Sequence, residues 1–138
     1  MSNDIRLEVV SRANRPTASS GSKWEPKMGY SRAVRSGSFI SVSGTVGVNS
    51  DGKCPAGVAA QTKRSLAIIQ AAIEKLGGKL EHVIRTRMYV TDISKWEEVA
   101  QVHGELFGEI RPATSLVEVA KLIDGEALIE IEADAVVG

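Results

Sequence analysis

The chain has 138 residues, of which 43% are hydrophobic and 25% are charged, a composition typical of a globular protein and a length typical of one domain. Seventeen basic residues balance seventeen acidic ones, so no cationic excess favours nucleic acid or an anionic membrane as a partner. The single cysteine, Cys54, excludes an internal disulfide and a cysteine-based zinc site. No run approaches the ~20 apolar residues that span a bilayer. We therefore expect one domain over residues 1–138, located in the cytoplasm.

The first 29 residues are predicted to contain one strand, over residues 5–10, and a loop over residues 15–29. Prolines, glycine and serines interrupt any periodicity in that loop. Trp24 lies within it, and an aromatic residue in a loop either pins the loop to the domain or lines a site. We favour the pinning role.

The core, residues 30–138, is predicted to hold five strands and two helices. Apolar residues at helical spacing predict a helix over residues 59–76, ended by Gly77. A second helix is expected from an N-cap at Ser94 to Gly108. The strands are predicted over residues 33–35, 39–46, 83–91, 115–122 and 128–137. This order indicates an α+β domain, with a mixed six-stranded sheet and two helices packed on one face.

Alternation along the strands separates an apolar face from a polar one. The apolar sets are predicted to be Ile40, Val42 and Val46; Ile84, Met88 and Val90; and the alanines and isoleucines of the last strand. The opposite sets are Ser41, Ser43 and Thr45; Arg85, Arg87 and Tyr89; and Glu130, Glu132 and Asp134. The polar face also carries Phe39 and Val117, which a monomer would leave wet. A second copy of the chain would cover this face, and sites are often built at such closures.

Few motifs carry chemistry on their own. The stretch 43–47 lacks the Lys-Ser/Thr pair of a phosphate-binding loop. His82 and His103 have no carboxylates at ligand spacing, so no metal site is expected. Most carboxylates of the polar face are expected to pair with arginines across strands. Glu130 is the exception, as a candidate acid or base.

Residues 111–122, Arg-Pro-Ala-Thr-Ser-Leu-Val-Glu-Val-Ala-Lys-Leu, and 129–133, Ile-Glu-Ile-Glu-Ala, closely resemble the C-terminal signature of the RidA family. That family is also called YjgF-like or endoribonuclease L-PSP. Residues 29–34, 40–44 and 85–92 fit it as well. The resemblance implies a chorismate-mutase-like subunit in a homotrimer, with small-molecule clefts between subunits and no cofactor.

The resemblance also implies a chemistry. Members of the family hydrolyse enamines and imines, such as 2-aminoacrylate, to 2-keto acids and ammonia. A cleft arginine binds the substrate carboxylate, and a glutamate with backbone groups positions the attacking water. Tyr30, Ser43 and Glu130 match the tyrosine, serine and glutamate of that cleft. Glu130 is thus the expected general base, Ser43 a polarising donor and Tyr30 a substrate-binding residue.

The chain departs from this pattern at the arginine. The family motif Pro-Ala-Arg-Ser reads Pro-Ala-Thr-Ser here, with Thr114 in place of the guanidinium, and Leu116 stands where the family has a cysteine or small residue. Arg32 lies two residues after Tyr30, so in an extended segment both side chains point the same way. Arg32 either replaces the missing guanidinium or is a solvated or ion-paired surface residue. Arg111 is a second, less favoured candidate, because it lies in the connecting loop before Pro112. Tyr30, Arg32, Thr114 and Leu116 form the predicted substrate-binding set.

Three function classes follow. The first is an imine or enamine deaminase with altered specificity. The second is a non-catalytic small-molecule-binding or regulatory protein, because Thr114 removes the anchor. The third is a ribonuclease, against which the balanced charge and the lack of a histidine pair or basic-aromatic patch argue.

Overall fold

The computed structural model describes residues 4–138, so residues 1–3 of the predicted domain lie outside the described residues. Within that range the chain forms seven β-strands and three α-helices. In chain order these are β1 (Glu8–Arg12), β2 (Arg15–Ser19), α1 (Trp24–Met28), β3 (Ala33–Ser36), β4 (Phe39–Val46), α2 (Val58–Lys75), β5 (Val83–Val90), α3 (Trp96–Phe107), β6 (Ala113–Glu118) and β7 (Ile129–Val136).

The strands form a single mixed sheet in the order β1-β2-β3-β4-β7-β5-β6. All pairs are antiparallel except β5 with β6, which are joined through α3, as a parallel pair requires a crossover. Helix α2 packs on β4 and β7, and α3 packs beside α2. The predicted α+β class and mixed sheet are confirmed. Across residues 4–138 no helix combines the length and apolar character needed to cross a bilayer.

The prediction of a loop over residues 15–29 is wrong. Residues 15–19 are strand β2, which gives the described chain seven strands rather than six. Ala13 and Asn14 both have positive φ, 51° and 60°, the conformation of a two-residue hairpin turn that matches strand twist. Pro16 argues against a strand in the sequence, because proline cannot donate a ladder hydrogen bond. It is tolerated here because only Thr17 and Ala18 pair with β3. Residues 24–28 form the short helix α1.

Both long helices occur where periodicity predicts them. Helix α2 ends beside Gly77, whose φ of 87° supplies the expected left-handed residue. The N-cap prediction at Ser94 is wrong, because α3 begins at Trp96. The Asp92 side chain instead accepts a hydrogen bond from the Ser94 backbone N–H at 3.0 Å, which caps the 3₁₀ turn preceding α3.

Two irregularities in the sheet reverse the predicted faces locally. Pairing of β4 with β7 shifts between Val42 and Thr45, and the side chain of Thr45 is buried while Val46 moves to the open face. Pairing of β5 with β7 shifts near Ile84, which is 49% exposed, while Thr86 is fully buried. An extra residue in one strand flips the alternation that follows it, so strict alternation predicts the wrong face at these positions.

The polar face opposite the helices is as expected elsewhere. Arg87 forms ion pairs across the sheet with Glu132 at 3.3 Å and Asp134 at 3.2 Å, as predicted. Phe39 and Val117 are 42% and 46% exposed. A single chain therefore leaves this face to solvent, because both long helices pack on the other one.

Candidate functional site

A cleft of about 850 Å³ lies where β4 and β7 meet the N-terminal segment and the stretch that precedes β3. Its wall includes Tyr30, Arg32 and Glu130, three of the six residues that the sequence predicts for the site. Backbone pairing places them together, because β3 and β4 form one hairpin and β7 runs beside β4. The cleft is large enough for a metabolite-sized ligand.

Arg32 is held in the cleft wall by both its backbone and its side chain. Its backbone N–H donates to the Ala18 carbonyl at 2.9 Å, and its carbonyl accepts from the Ser43 N–H at 3.0 Å. The side chain is only 8% exposed. Its Nη2 donates to the Gly44 carbonyl at 2.5 Å, and its Cζ lies 5.5 Å from the centroid of the Tyr30 ring, within cation–π range. Arg32 therefore points into the cleft and not to bulk solvent.

One donor of Arg32 is unsatisfied within the described chain. The Nε atom is buried and has no hydrogen-bond partner among residues 4–138. A buried donor left unpaired costs about 1–3 kcal/mol, and such groups call for a partner from outside the chain. The guanidinium makes one hydrogen bond among the described residues, from Nη2 to the Gly44 carbonyl, so its Nη1 N–H groups remain for an anion, above all a planar carboxylate.

Glu130 lies on β7 between the fully buried Ile129 and Ile131 and faces away from that core into the cleft. Burial raises the pKa of Glu130 above its ordinary value; the nearby Arg32 charge opposes the rise and Glu132 adds to it. A carboxylate whose pKa is raised by desolvation is a stronger proton acceptor once ionised. Glu130 thus has the properties expected of a general base.

Gly44 makes room for this carboxylate. A Cβ atom at position 44 would lie 2.4 Å from Oε2 of Glu130, closer than any real contact. The shift in β4 pairing falls at this residue, and a glycine in a strand often marks a close approach. Sequence reasoning did not place Gly44 in the site, since the signal depends on which side chain lies opposite it.

Ser43 lies next to the cleft but is not part of its wall. Its hydroxyl donates to the Ser31 carbonyl at 2.7 Å. The bond ties β4 to the extended segment that carries Tyr30 and Arg32. The hydroxyl would have to leave Ser31 before it could donate to a ligand.

Thr114 and Leu116 lie far from these residues, on the edge strand β6. The Oγ1 atom of Thr114 is 2.7 Å from Oγ1 of Thr86, which in turn is 2.9 Å from Nε2 of His103. Burial lowers the pKa of His103, which favours its neutral form. Position 114 therefore ends a neutral hydrogen-bonded chain, and sequence reasoning missed its other two members because they meet only through the β5–β6 register and helix α3.

One chain does not bring the two groups together. Thr114 shares the helix-covered side of the sheet with Thr86, whereas Glu130 pairs with Val46 and Tyr89 on the open side. Strand β5 separates β6 from β7. A site that contains both Glu130 and Thr114 would need a second copy of the chain.

Comparison with known proteins gives the family. The family model described as endoribonuclease L-PSP matches residues 21–137. The chain belongs to this family. A curated relative from the endoribonuclease L-PSP family, the 2-iminobutanoate/2-iminopropanoate deaminase of Escherichia coli K12, is 38% identical over 111 residues, which cover 78% of this chain and 86% of the relative.

Solved structures of endoribonuclease L-PSP family members agree with this fold. Rv2704 of Mycobacterium tuberculosis, described as a member of the YjgF/YER057c/UK114 family, is 50% identical with a TM-score of 0.83 and covers 89% of this chain and 99% of its own. E. coli TdcF with bound serine is 30% identical with a TM-score of 0.74, covering 79% of this chain and 87% of its own. Membership of the RidA family, which the sequence motifs predicted, is confirmed.

Proposed function

We propose that the chain is an imine or enamine deaminase that binds a small carboxylate-bearing metabolite in clefts between the subunits of a homotrimer. The observation that carries this proposal is the buried Arg32 guanidinium, with its unpaired Nε, in the same cleft wall as Glu130. A guanidinium anchor beside a carboxylate base is what hydrolysis of a 2-imino acid requires. A related protein of E. coli is named as an iminobutanoate and iminopropanoate deaminase.

In the proposed reaction Arg32 binds the substrate carboxylate through the guanidinium N–H groups that are not bonded to the Gly44 carbonyl. Glu130 accepts a proton from water as the water oxygen bonds to the imine carbon. Glu130 returns this proton to the imine nitrogen, which gives a carbinolamine. It then moves the carbinolamine hydroxyl proton to the same nitrogen as the C–N bond breaks, so that ammonia leaves and a 2-keto acid remains. Tyr30 packs against the guanidinium and Ser43 holds the segment that carries both residues. Ser43 would polarise the substrate directly only after its hydroxyl leaves Ser31.

The trimer is part of the proposal because of where Thr114 and Leu116 lie. They stand on an edge strand, and the open sheet face is left uncovered by the chain's own helices. A neighbouring β6 edge brought to the cleft would complete the predicted set of six residues. We expect the mass in solution to be three times the 14.7-kDa chain mass. A cytoplasmic location, a single domain over the full chain and the absence of a cofactor remain part of the proposal.

The second candidate is a binding protein without turnover. The observation that favours it is Thr114, which presents a neutral hydroxyl chain where the resemblance implies a guanidinium. In that case the cleft would hold a keto acid or related carbonyl compound, and Glu130 would only shape the pocket. A ribonuclease is disfavoured by the formal net charge of zero, since RNA binding draws on basic surfaces.

One experiment separates the two candidates. Imines are generated in situ from amino acids with an amino-acid oxidase. The imine that has not been hydrolysed is trapped with semicarbazide, so that its loss can be followed. We expect wild type to accelerate hydrolysis of at least one imine, and Arg32→Ala to lose that acceleration while its mass by light scattering stays that of wild type. Keto-acid binding without faster hydrolysis of any imine would favour the binding protein. A mass in solution that corresponds to a monomer or a dimer would contradict the clefts between subunits of a trimer.

A further inference from the structure

The cleft extends well beyond the polar residues assigned to the reaction. Its wall also includes the apolar residues Trp24, Met28 and Ile123, next to polar wall residues such as Lys23 and Asp124. Met28 is 60% exposed and Ile123 is 70% exposed. Exposed apolar groups that border a polar binding site are commonly covered by part of the ligand.

Trp24 is held at the cleft by a buried carboxylate. Glu25, its neighbour in α1, is only 5% exposed and accepts hydrogen bonds from the Ser19 hydroxyl and the Ser20 backbone N–H, each at 3.1 Å, and from the Ser20 hydroxyl. Its backbone carbonyl accepts from the N–H groups of Gly29 and Tyr30, each at 2.9 Å. A five-residue helix has little stability of its own, so these bonds keep the Trp24 wall in place.

The same segment therefore positions both Trp24 and the polar wall residues Tyr30 and Arg32. Gly29, with φ of 75°, ends α1 and turns the chain into the extended stretch of Tyr30 and Arg32. The ammonium groups of Lys23 and Lys27 lie 5.1 and 5.9 Å from the centroid of the Trp24 ring, which adds cation–π contacts to the support of the indole. The prediction that Trp24 merely pins a loop is thus incomplete, since its side chain also forms part of the cleft wall.

Size adds to the inference. Ligand pockets hold about 300–1,000 Å³, and this cleft, at about 850 Å³, is near the upper end. A three-carbon imino acid anchored on Arg32 would fill only part of a cleft of this volume. We propose that Trp24 and Met28 form a subsite for a bulky apolar substituent, so that the preferred substrates are the imines of large aliphatic or aromatic 2-amino acids. This inference rests on the proposed function and names its substrate class.

The test compares imines of different size, made in situ from alanine, leucine and phenylalanine. We expect the wild-type kcat/KM to be at least tenfold higher for the leucine or phenylalanine imine than for the alanine imine, in line with the discrimination an apolar pocket provides. Trp24→Ala and Met28→Ala should each lower the large-to-small ratio at least fivefold. Trp96→Ala is the matched control, because Trp96 lies on α3, is 52% exposed and is not in the cleft wall.

The possible outcomes keep the subsite and the reaction distinguishable. Equal wild-type kcat/KM for small and large imines overturns the subsite and leaves the deaminase proposal standing. The same holds if Trp24→Ala lowers kcat/KM by the same factor for every imine. If no imine is hydrolysed, the deaminase proposal fails, and the subsite is judged by titrating pyruvate and 4-methyl-2-oxopentanoate. Tighter binding of the larger keto acid that Met28→Ala removes supports the subsite, and equal binding overturns it. A change of mass in Met28→Ala assigns that surface to a second copy of the chain and also overturns it.

Discussion

At the β4–β7 end of the sheet Arg32 and Glu130 line one cleft, together with Arg6, Arg64, Asp4 and Asp124. Beside the β6 edge, Thr114 meets the hydroxyl of Thr86, which in turn meets the imidazole of His103. Arg32 is buried with a donor that no described residue satisfies. Thr114, in contrast, is already bonded to Thr86, and Thr86 to His103. The first region is poised to take up an anion, and the second satisfies its own polar groups.

In the proposed function, Arg32 binds the carboxylate in place of the arginine that the family resemblance implies at position 114. Because Arg32 projects from the segment between α1 and β3, its charge reaches the cleft from the opposite wall. In the proposed assembly the guanidinium comes from the segment before β3 instead of from β6, while the carboxylate base on β7 is kept. Experiments that alter one region and not the other test this division.

Glu130→Gln should have the largest effect. It removes the base and keeps the shape, so kcat should fall by about 10²–10⁴-fold, the usual contribution of general acid–base catalysis. Glu132→Gln is the matched control, because Glu132 lies two residues along β7 and pairs with Arg87 outside the cleft wall. Steady-state kinetics on the best imine measures both variants. If Glu130→Gln is as active as Glu132→Gln, the proposed role of Glu130 as the general base is contradicted.

Thr114→Arg should restore charge at the β6 edge. A charge-assisted hydrogen bond contributes roughly 1.5–3 kcal/mol, so hydrolysis of 2-aminoacrylate should rise by about 10–100-fold. Thr114→Val removes the hydroxyl without adding charge and should give no such rise. Wild-type hydrolysis already equal to that of relatives with the arginine would contradict the premise that Thr114 limits this substrate.

Gly44→Ala should act by displacing the Glu130 carboxylate, since the new Cβ would lie 2.4 Å from Oε2. We expect kcat/KM to fall about tenfold with a small loss of stability, because a flexible side chain can move. Gly104→Ala is the control: position 104 lies in α3 with no atom within 4 Å of the added Cβ. That change should leave activity intact and raise the free energy of unfolding by about 1 kcal/mol.

The smallest expected effect is on the pH dependence of stability. The pKa of Glu130 is higher in the folded state than its ordinary value of 4.5, so the folded chain binds more protons and loses stability as pH rises through that range. The Glu130→Gln variant lacks this loss. The melting temperature of this variant relative to wild type should therefore rise from pH 4.5 to neutral pH. A difference in melting temperature that does not change with pH would contradict the raised pKa of Glu130. Wild-type activity should fall on the acid side as Glu130 is protonated.

Some elements of the fold can be predicted from the sequence because their apolar residues recur with a single helical or strand period. Helix α2 shows helical spacing and a terminal glycine, and β7 alternates without interruption. Strand β2 has neither signal, since a hairpin turn without glycine joins it to β1 and Pro16 stands near its start. The pairing shifts near Gly44 and Ile84 depend on neighbouring strands, which no local pattern records.

The site divides in the same way. The spacing of Tyr30 and Arg32 in an extended segment is enough to predict that both side chains lie in one cleft, because the alternation of side chains depends only on the local backbone. The approach of Glu130 to Gly44 and the contact of Thr86 with His103 could not be predicted, because each joins residues far apart in the chain. Family resemblance supplied Glu130, and the register of β4 with β7 explains why that carboxylate lies beside a glycine.

The central claim is that Arg32 recognises a carboxylate, and calorimetric titration of 2-oxobutanoate and its neutral amide tests it most directly. Wild type should bind the carboxylate at least tenfold more tightly than the amide, and Arg32→Gln should abolish that difference. Arg35→Gln, the control, should keep it, since Arg35 donates to the carbonyls of Gly37 and Leu76 away from the cleft wall. Equal binding of acid and amide by wild type, or a preference for the acid that survives in Arg32→Gln, would contradict the claim.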